Sequence, residues 1–364
     1  MTVVSNNRRG LVLAPLLAAL MITAVAATAP AEESGLKLPG GLLVFPDLTV
    51  TKLNGASGDE DTFTANPGVD LFFSRDYGKL RLLAELFFDK YEQELERLMV
   101  GKQLTPGTSV WGGRFLAPLG YWNTAFHHGT WLQTSISRPG IIEFEDKGGA
   151  LPMHITGVLA QGDLPVHGAS LSWEAGAGLG PKLEAGELEP YDLLDPSDGD
   201  RDLAAAVTVT LRRSKRDLSG VGLFAGYWDA ERDDSVGGDL RLTVYGGNLM
   251  LELDALLLSG ALFYVEDKSR DGQFIINSHF TSGYLQAEYS PGSDWTTYAR
   301  AELASNASES PYLANFPDFV TEGYLAGLRW DFSDRQAFKL EVGDLRRLGT
   351  HSRRFMLQWS AQLP

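Results

Sequence analysis

The feature that most restricts this chain is a period of two residues. At 207–212, Val207, Val209 and Leu211 alternate with Thr208, Thr210 and Arg212. At 240–245, Leu240, Leu242 and Val244 alternate with Arg241, Thr243 and Tyr245. The run 249–257 sets Leu249, Leu251, Leu253, Ala255 and Leu257 against Glu252 and Asp254. Further on, Arg300 and Glu302 oppose Trp295, Ala299, Ala301 and Leu303, while Arg329 and Asp331 oppose Tyr324, Leu328, Trp330 and Phe332. Phe338, Leu340 and Val342 oppose Lys339 and Glu341, and Phe355, Leu357 and Trp359 oppose Gln358 and Ser360. Successive side chains of a strand point to opposite faces, so each segment has one apolar and one polar face.

A soluble sandwich also alternates in this way, with its apolar face inward. The connections separate the two cases. Tight turns are expected at 76–78, 106–108, 162–165, 214–219, 246–248, 291–294 and 333–335. Between them fall connections at about 53–67, 91–93, 119–154, 181–201, 231–237, 268–278, 305–319 and 346–350, mostly longer. This rhythm is the wiring of an up-and-down transmembrane β-barrel, short turns at one end and long loops at the other. A Greek-key sandwich has no reason to keep it. The count is about sixteen antiparallel strands, within a range of 14 to 18, all in one all-β unit over residues 32–364. An even number leaves both termini at the short-turn end.

The first thirty residues do not belong to that unit. Arg8 and Arg9 precede an apolar stretch at 11–27, and Ala29-Pro30-Ala31 offers small residues at cleavage spacing. Residues 1–31 read as a Sec signal peptide. Its removal deletes two arginines and no acid, taking the net charge of −16 to −18. So acidic a chain has no basic footprint for nucleic acid. Cysteine is absent, which excludes a disulfide framework and thiolate metal ligation. The uncharged run 255–265 is too short to span a bilayer as a helix. The surroundings expected for such a barrel are an outer-membrane bilayer with lipopolysaccharide, reached through the barrel assembly machinery.

The stretch 111–139 departs from strand character. It holds three Trp, the pair His127-His128 and only two charges, Arg114 and Arg138. By the loop count, 119–154 is the third long connection. A sixteen-strand barrel encloses an aqueous lumen. A long, aromatic, weakly charged loop folded inward against the wall would narrow it.

At this point the chain resembles the Gram-negative outer-membrane porin superfamily and, more distantly, its phosphate-selective group. The resemblance rests on GGRFLAPLGYWN at 112–123, similar to the G-R-F-x-x-P-x-G strand-to-loop segment of those porins, and on the terminal FMLQWSAQLP. It implies a water-filled channel for passive diffusion of small hydrophilic solutes or ions, with no bond made or broken, and a possible homotrimer. Two departures stand out. Such porins end on Phe or Trp, whereas this chain ends Leu363-Pro364, and phosphate selectivity needs lumen cations that an acidic chain does not supply.

Candidate site residues follow from this frame. Arg114, His127, His128, Arg138, Glu143, Glu145, Asp146 and His154 are the constriction set, Arg114 and Arg138 forming its cationic side against the three acids. Arg81, Glu85, Arg300, Glu302, Arg329 and Asp331 are the lumen wall, where charges of both signs either sort permeants or pair laterally and hydrate the wall. Imidazole and carboxylate suit a divalent ion, but the His and acids of 127–154 match no metal motif; the readings are hydrogen bonding of the loop to wall arginines, a metal site or a substrate site. Asp192, Asp195, Asp198, Asp200 and Asp202 lack the register of an EF-hand and read as an acidic outer loop. No cofactor motif appears. Ser135, Ser137, His127, His128 and Asp146 hold the residue types of a triad without a nucleophile elbow, so no catalytic residue is assigned. The alternative is a non-conducting barrel, either a surface enzyme or a binding or structural scaffold.

Overall fold

The computed structural model describes residues 41–363 apart from 56–61, 127–129, 194–200, 215–217, 232–238, 272–273 and 293. The segment 1–31, read as a signal peptide, lies outside the described residues, as do His127, His128, Asp195, Asp198 and Asp200.

The described residues form eighteen strands: β1 (Gly41–Gly55), β2 (Thr62–Tyr77), β3 (Leu80–Phe88), β4 (Gln93–Thr105), β5 (Thr108–Leu116), β6 (His154–Val166), β7 (Ala169–Leu179), β8 (Lys182–Glu184), β9 (Glu187–Glu189), β10 (Leu203–Arg212), β11 (Gly220–Glu231), β12 (Asp239–Leu253), β13 (Leu256–Asp271), β14 (Phe274–Tyr289), β15 (Trp295–Ser305), β16 (Val320–Ser333), β17 (Gln336–Arg347) and β18 (His351–Ala361). All but β8 and β9 form one closed barrel of sixteen antiparallel strands, each paired with its neighbours in sequence. Closure pairs β1 with β18, from Asp47 opposite Ser360 to Gly55 opposite Ser352, and a bridge joins Val44 to Leu363. The fold class and strand number expected from the alternation are those observed. β8 and β9, a small separate hairpin inside the connection 180–202, were not foreseen.

The burial pattern is inverted relative to a soluble protein. In β17, Lys339 and Glu341 are 2% and 0% exposed, while the flanking Phe338 and Val342 are 48% and 47% exposed. Val207, Val209, Leu211, Leu303, Tyr324, Phe355 and Leu357 are likewise exposed, against buried Arg300, Glu302 and Gln358. An outer wall of this kind suits hydrocarbon, and closure leaves no strand edge unpaired within it. Near the short-turn end Trp295 stacks on Trp330 at 5.3 Å, and Phe332 stacks on Phe338 at 5.0 Å.

Three sequence expectations are corrected. Gly246-Gly247-Asn248 is not a turn: it lies within β12, whose reversal comes at Asp254, with a φ of 50°. The expected turn at 162–165 lies within β6, and the chain reverses at His167 and Gly168, both at positive φ. A Gly or Asp beside polar residues carries no signal that separates a mid-strand glycine from a hairpin. The rhythm of the long ends is also weaker than expected, because β13 and β14 run to Asp271 and from Phe274, leaving two residues for the connection placed at 268–278.

The apolar face of 240–245 is corrected as well. Leu240, Leu242 and Val244 are buried inside the barrel. They join Phe224, Trp228, Phe263, Val265 and Phe280 in one apolar cluster. Trp228 is fully buried there. Two connections add to the cluster: Leu119, Trp122, Ile141, Ile142, Leu151 and Met153 from one, Tyr312, Leu313, Phe316 and Phe319 from the other. Phe280 meets Phe319 edge-on at 5.5 Å, and the Tyr312 hydroxyl donates to the Ala150 carbonyl at 2.7 Å. Part of the inner wall is thus apolar because other chain segments cover it.

Candidate functional site

The connection from β5 to β6 holds one short helix, α1 (Gly120–Ala125), and two single 3₁₀ turns, Gly140–Ile142 and Glu145–Lys147. Most of its backbone therefore lacks ladder or helical partners, and a buried N–H or C=O without one is costly. The barrel wall supplies them. Arg300 of β15 bonds Glu302 through Nε at 2.8 Å, the Ser137 carbonyl through Nη1 at 3.0 Å and the Arg138 carbonyl through Nη2 at 2.8 Å. Arg329 of β16 holds Asp331 and donates to the carbonyls of Trp131 and Gln133 at 2.7 and 3.0 Å. Lys339 of β17 donates to the carbonyls of Thr130 and of Gln133, the latter at 2.8 Å.

Carboxylates receive the amides. Glu341 accepts from the backbone N–H of Ile136 and Ser137 at 3.1 and 3.3 Å, and Glu302 accepts from Gly140 N–H at 2.7 Å. Glu341 also accepts from the Tyr298 hydroxyl and from Arg354. Both signs of charge are needed because an irregular backbone exposes both donors and acceptors. β15 lies eight strands from β5 in either direction around the ring. These bonds join the chain leaving β5 to the strand farthest from it.

The sequence-derived wall residues divide. Arg300, Glu302, Arg329 and Asp331 carry this network, each arginine also pairing with the acid two positions on. Glu85 is fully buried and pairs with Arg97 of β4 at 2.5 Å. Arg81 is exposed beside the first short turn and pairs with Asp76.

The constriction set does not come together as one group. Arg138 and Glu143 line a passage of about 390 Å³ between the β5–β6 connection and the wall of β1, β2 and β18. Arg138 stacks on the Phe144 ring at 3.9 Å. Burial raises the Glu143 carboxyl above the usual carboxylate range, partly offset by nearby Arg138 and Lys147. Glu145 instead bonds His154 Nδ1 at 2.7 Å and the Met153 N–H, and His154 Nε2 lies 3.1 Å from Glu96. That buried trio anchors the point where the connection re-enters the barrel. Arg114 is buried near it and does not line the passage, so it does not oppose Glu143. Asp146 falls within the 3₁₀ turn at 145–147. Ser135 is fully buried, donating to the Ser137 carbonyl and accepting from Arg300. Among the described residues no group of His, Cys, Asp and Glu forms a metal cluster.

Five further charged residues on the passage escaped the sequence reading: Asp47, Asp70, Glu96, Lys147 and Arg354. Asp47 and Arg354 share the inward parity of Thr49 and Gln358, which alternation alone reveals once β1 and β18 are recognised as neighbours. Lys147 sits 4.7 Å from the Phe87 ring and 5.1 Å from Phe144, a placement that depends on the loop path.

No protein-family model and no curated protein sequence matches the chain. Solved structures do. An anion-selective porin from Comamonas acidovorans superposes with a TM-score of 0.58 at 13% identity, covering 89% of this chain and 99% of its own. OmpF of Salmonella typhi, solved with daunomycin, gives 0.56 at 10% identity, with 89% and 98% covered. A trimer form of OmpT, an outer-membrane protein of Vibrio cholerae, gives 0.52 at 10% identity, with 89% and 99% covered. The chain has the fold of the Gram-negative outer-membrane porins, down to a closed antiparallel ring of sixteen strands.

Proposed function

We propose that this barrel sits in the outer membrane of a Gram-negative bacterium and passes small hydrophilic solutes or ions by passive diffusion. One observation carries the reading: side chains of opposite polarity are sorted to opposite faces of a closed ring, apolar outward and charged inward. Such a ring needs lipid outside and tolerates water inside. The connection 119–154 acts as the constriction, held across the interior by Arg300, Arg329, Lys339 and Glu341. Its open side is the passage beside β1, β2 and β18, where Arg138 and Glu143 meet the permeant. The mature protein starts after residue 31, is inserted by the barrel assembly machinery and faces lipopolysaccharide at its long-loop end. A homotrimer fits the assembly named for one structural neighbour.

Single-channel recording in planar bilayers tests the reading. Discrete ion-conducting steps from folded, heat-modifiable protein are expected, and their absence overturns it. The second reading, a non-conducting scaffold, draws on the apolar cluster that fills part of the interior. It predicts a folded barrel with no steps at any voltage.

A further inference from the structure

We propose that the passage beside β1, β2 and β18 binds neutral polyhydroxylated solutes, the chemistry of simple sugars; the inference rests on the channel reading. The starting point is a set of polar atoms left without partners. Gln133 and Gln358 line the passage, and each is less than 5% exposed. Gln133 donates through Nε2 to the Ile136 carbonyl, which fixes its amide orientation, and its Oε1 is buried with no hydrogen-bond partner. Gln358 bonds Thr49 at 2.8 Å through one amide atom, and the other has no partner, whichever way the amide is turned. Asn66, also on the passage, gives its amide nitrogen to Asp89 and leaves its oxygen unbonded. On the same strand as Gln358, Arg354 bonds Ser137 and Glu341 through Nη2, while its buried Nε donates to nothing.

The passage therefore lacks both donors for its acceptors and an acceptor for its donor. An ammonium only donates and a carboxylate only accepts, whereas a hydroxyl does both. Several hydroxyls on one small frame match the whole set. The charge count points the same way. Four lining acids, Asp47, Asp70, Glu96 and Glu143, face three lining bases, Arg138, Lys147 and Arg354, with Glu96 paired to His154 and Arg354 to Glu341. A ring so near balance gives little net attraction to an ion of either sign. Phe45, Phe87 and Phe126 add apolar faces for the C–H side of a sugar ring. The volume of about 390 Å³ lies within the range of small-molecule sites.

Single-channel current is recorded with glucose and, separately, with triethylene glycol dimethyl ether, which accepts but cannot donate. Glucose is expected to lower the current saturably, beyond the fall in bulk conductivity, and the ether is not. Gln358→Leu and Gln133→Leu are each expected to raise the half-blocking concentration about ten-fold, as expected when a hydrogen bond is lost from a buried site. If both solutes follow bulk conductivity alike, only water fills these positions; the proposal falls while the channel stands. Stronger block by gluconate or glucosamine than by glucose also overturns it. If the folded protein does not conduct, the channel reading falls. Saturation-transfer NMR of glucose on detergent-solubilised protein then decides: transfer that Gln358→Leu abolishes supports the proposal, and no transfer overturns it.

Discussion

Ser137 and Glu341, 204 positions apart, are joined by two hydrogen bonds: the seryl Oγ donates to Oε1 at 2.5 Å and the seryl N–H to Oε2 at 3.3 Å. A wall carboxylate thus takes the place of a backbone partner for a segment with no ladder of its own. The bond pattern around it yields the first expected outcomes.

Arg300→Met removes the donors that hold the Ser137 and Arg138 carbonyls and leaves Glu302 without its partner. Deleting one partner of a buried ion pair costs about 3–5 kcal/mol. The segment should loosen before the barrel does. Single-channel conductance should rise and become noisier, while the heat-modifiable band on gels persists. Unchanged conductance would show that the segment does not limit flow.

Phe316→Ala empties a fully buried site in the apolar cluster, where Phe316 packs on Tyr312 at 5.0 Å. Phe→Ala truncation in a packed core costs about 3–5 kcal/mol. The unfolding temperature in detergent should fall, and added protease should cut within 306–319 faster than in the parent. An unaltered digestion pattern would argue that this connection is held by something else.

Leu262 of β13 points outward and is 60% exposed. Leu262→Arg should cost about 2–4 kcal/mol if the residue sits near the bilayer midplane, and little in a detergent-free soluble body. Folding titrations into lipid vesicles measure the difference directly. A neutral result would contradict an outer wall in contact with hydrocarbon.

Glu143 is held above the ordinary carboxylate range by burial. A carboxyl with a raised pKa loses its charge as pH falls through that raised value, so it is anionic above and neutral below. Reversal potential in a salt gradient should shift toward anion preference on mild acidification, before ordinary carboxylates titrate. In Glu143→Gln the early shift should vanish, leaving a profile flat over that interval.

How far the chain could be read without coordinates differs between its parts. The wall was legible because strand geometry is local: Arg300/Glu302 and Arg329/Asp331 alternate with apolar neighbours, and which residues share a face follows from parity alone. The passage was not. Glu143 and Arg138 line it, whereas nothing in 119–154 reveals that Glu145, expected beside them, turns to His154.

The sequence by itself determined the ring: its strand number, its antiparallel order and which residues share a face, since two-residue periodicity and turn spacing need only neighbours in the chain. Only the tertiary structure decided what the interior holds. Leu240, Leu242 and Val244 show the same alternation as Val207, Val209 and Leu211, yet they point in and the others out. Alternation says that two faces differ; which one meets lipid depends on what else covers it. Here distant segments, 117–153 and 306–319, make an apolar inner face as stable as an outer one.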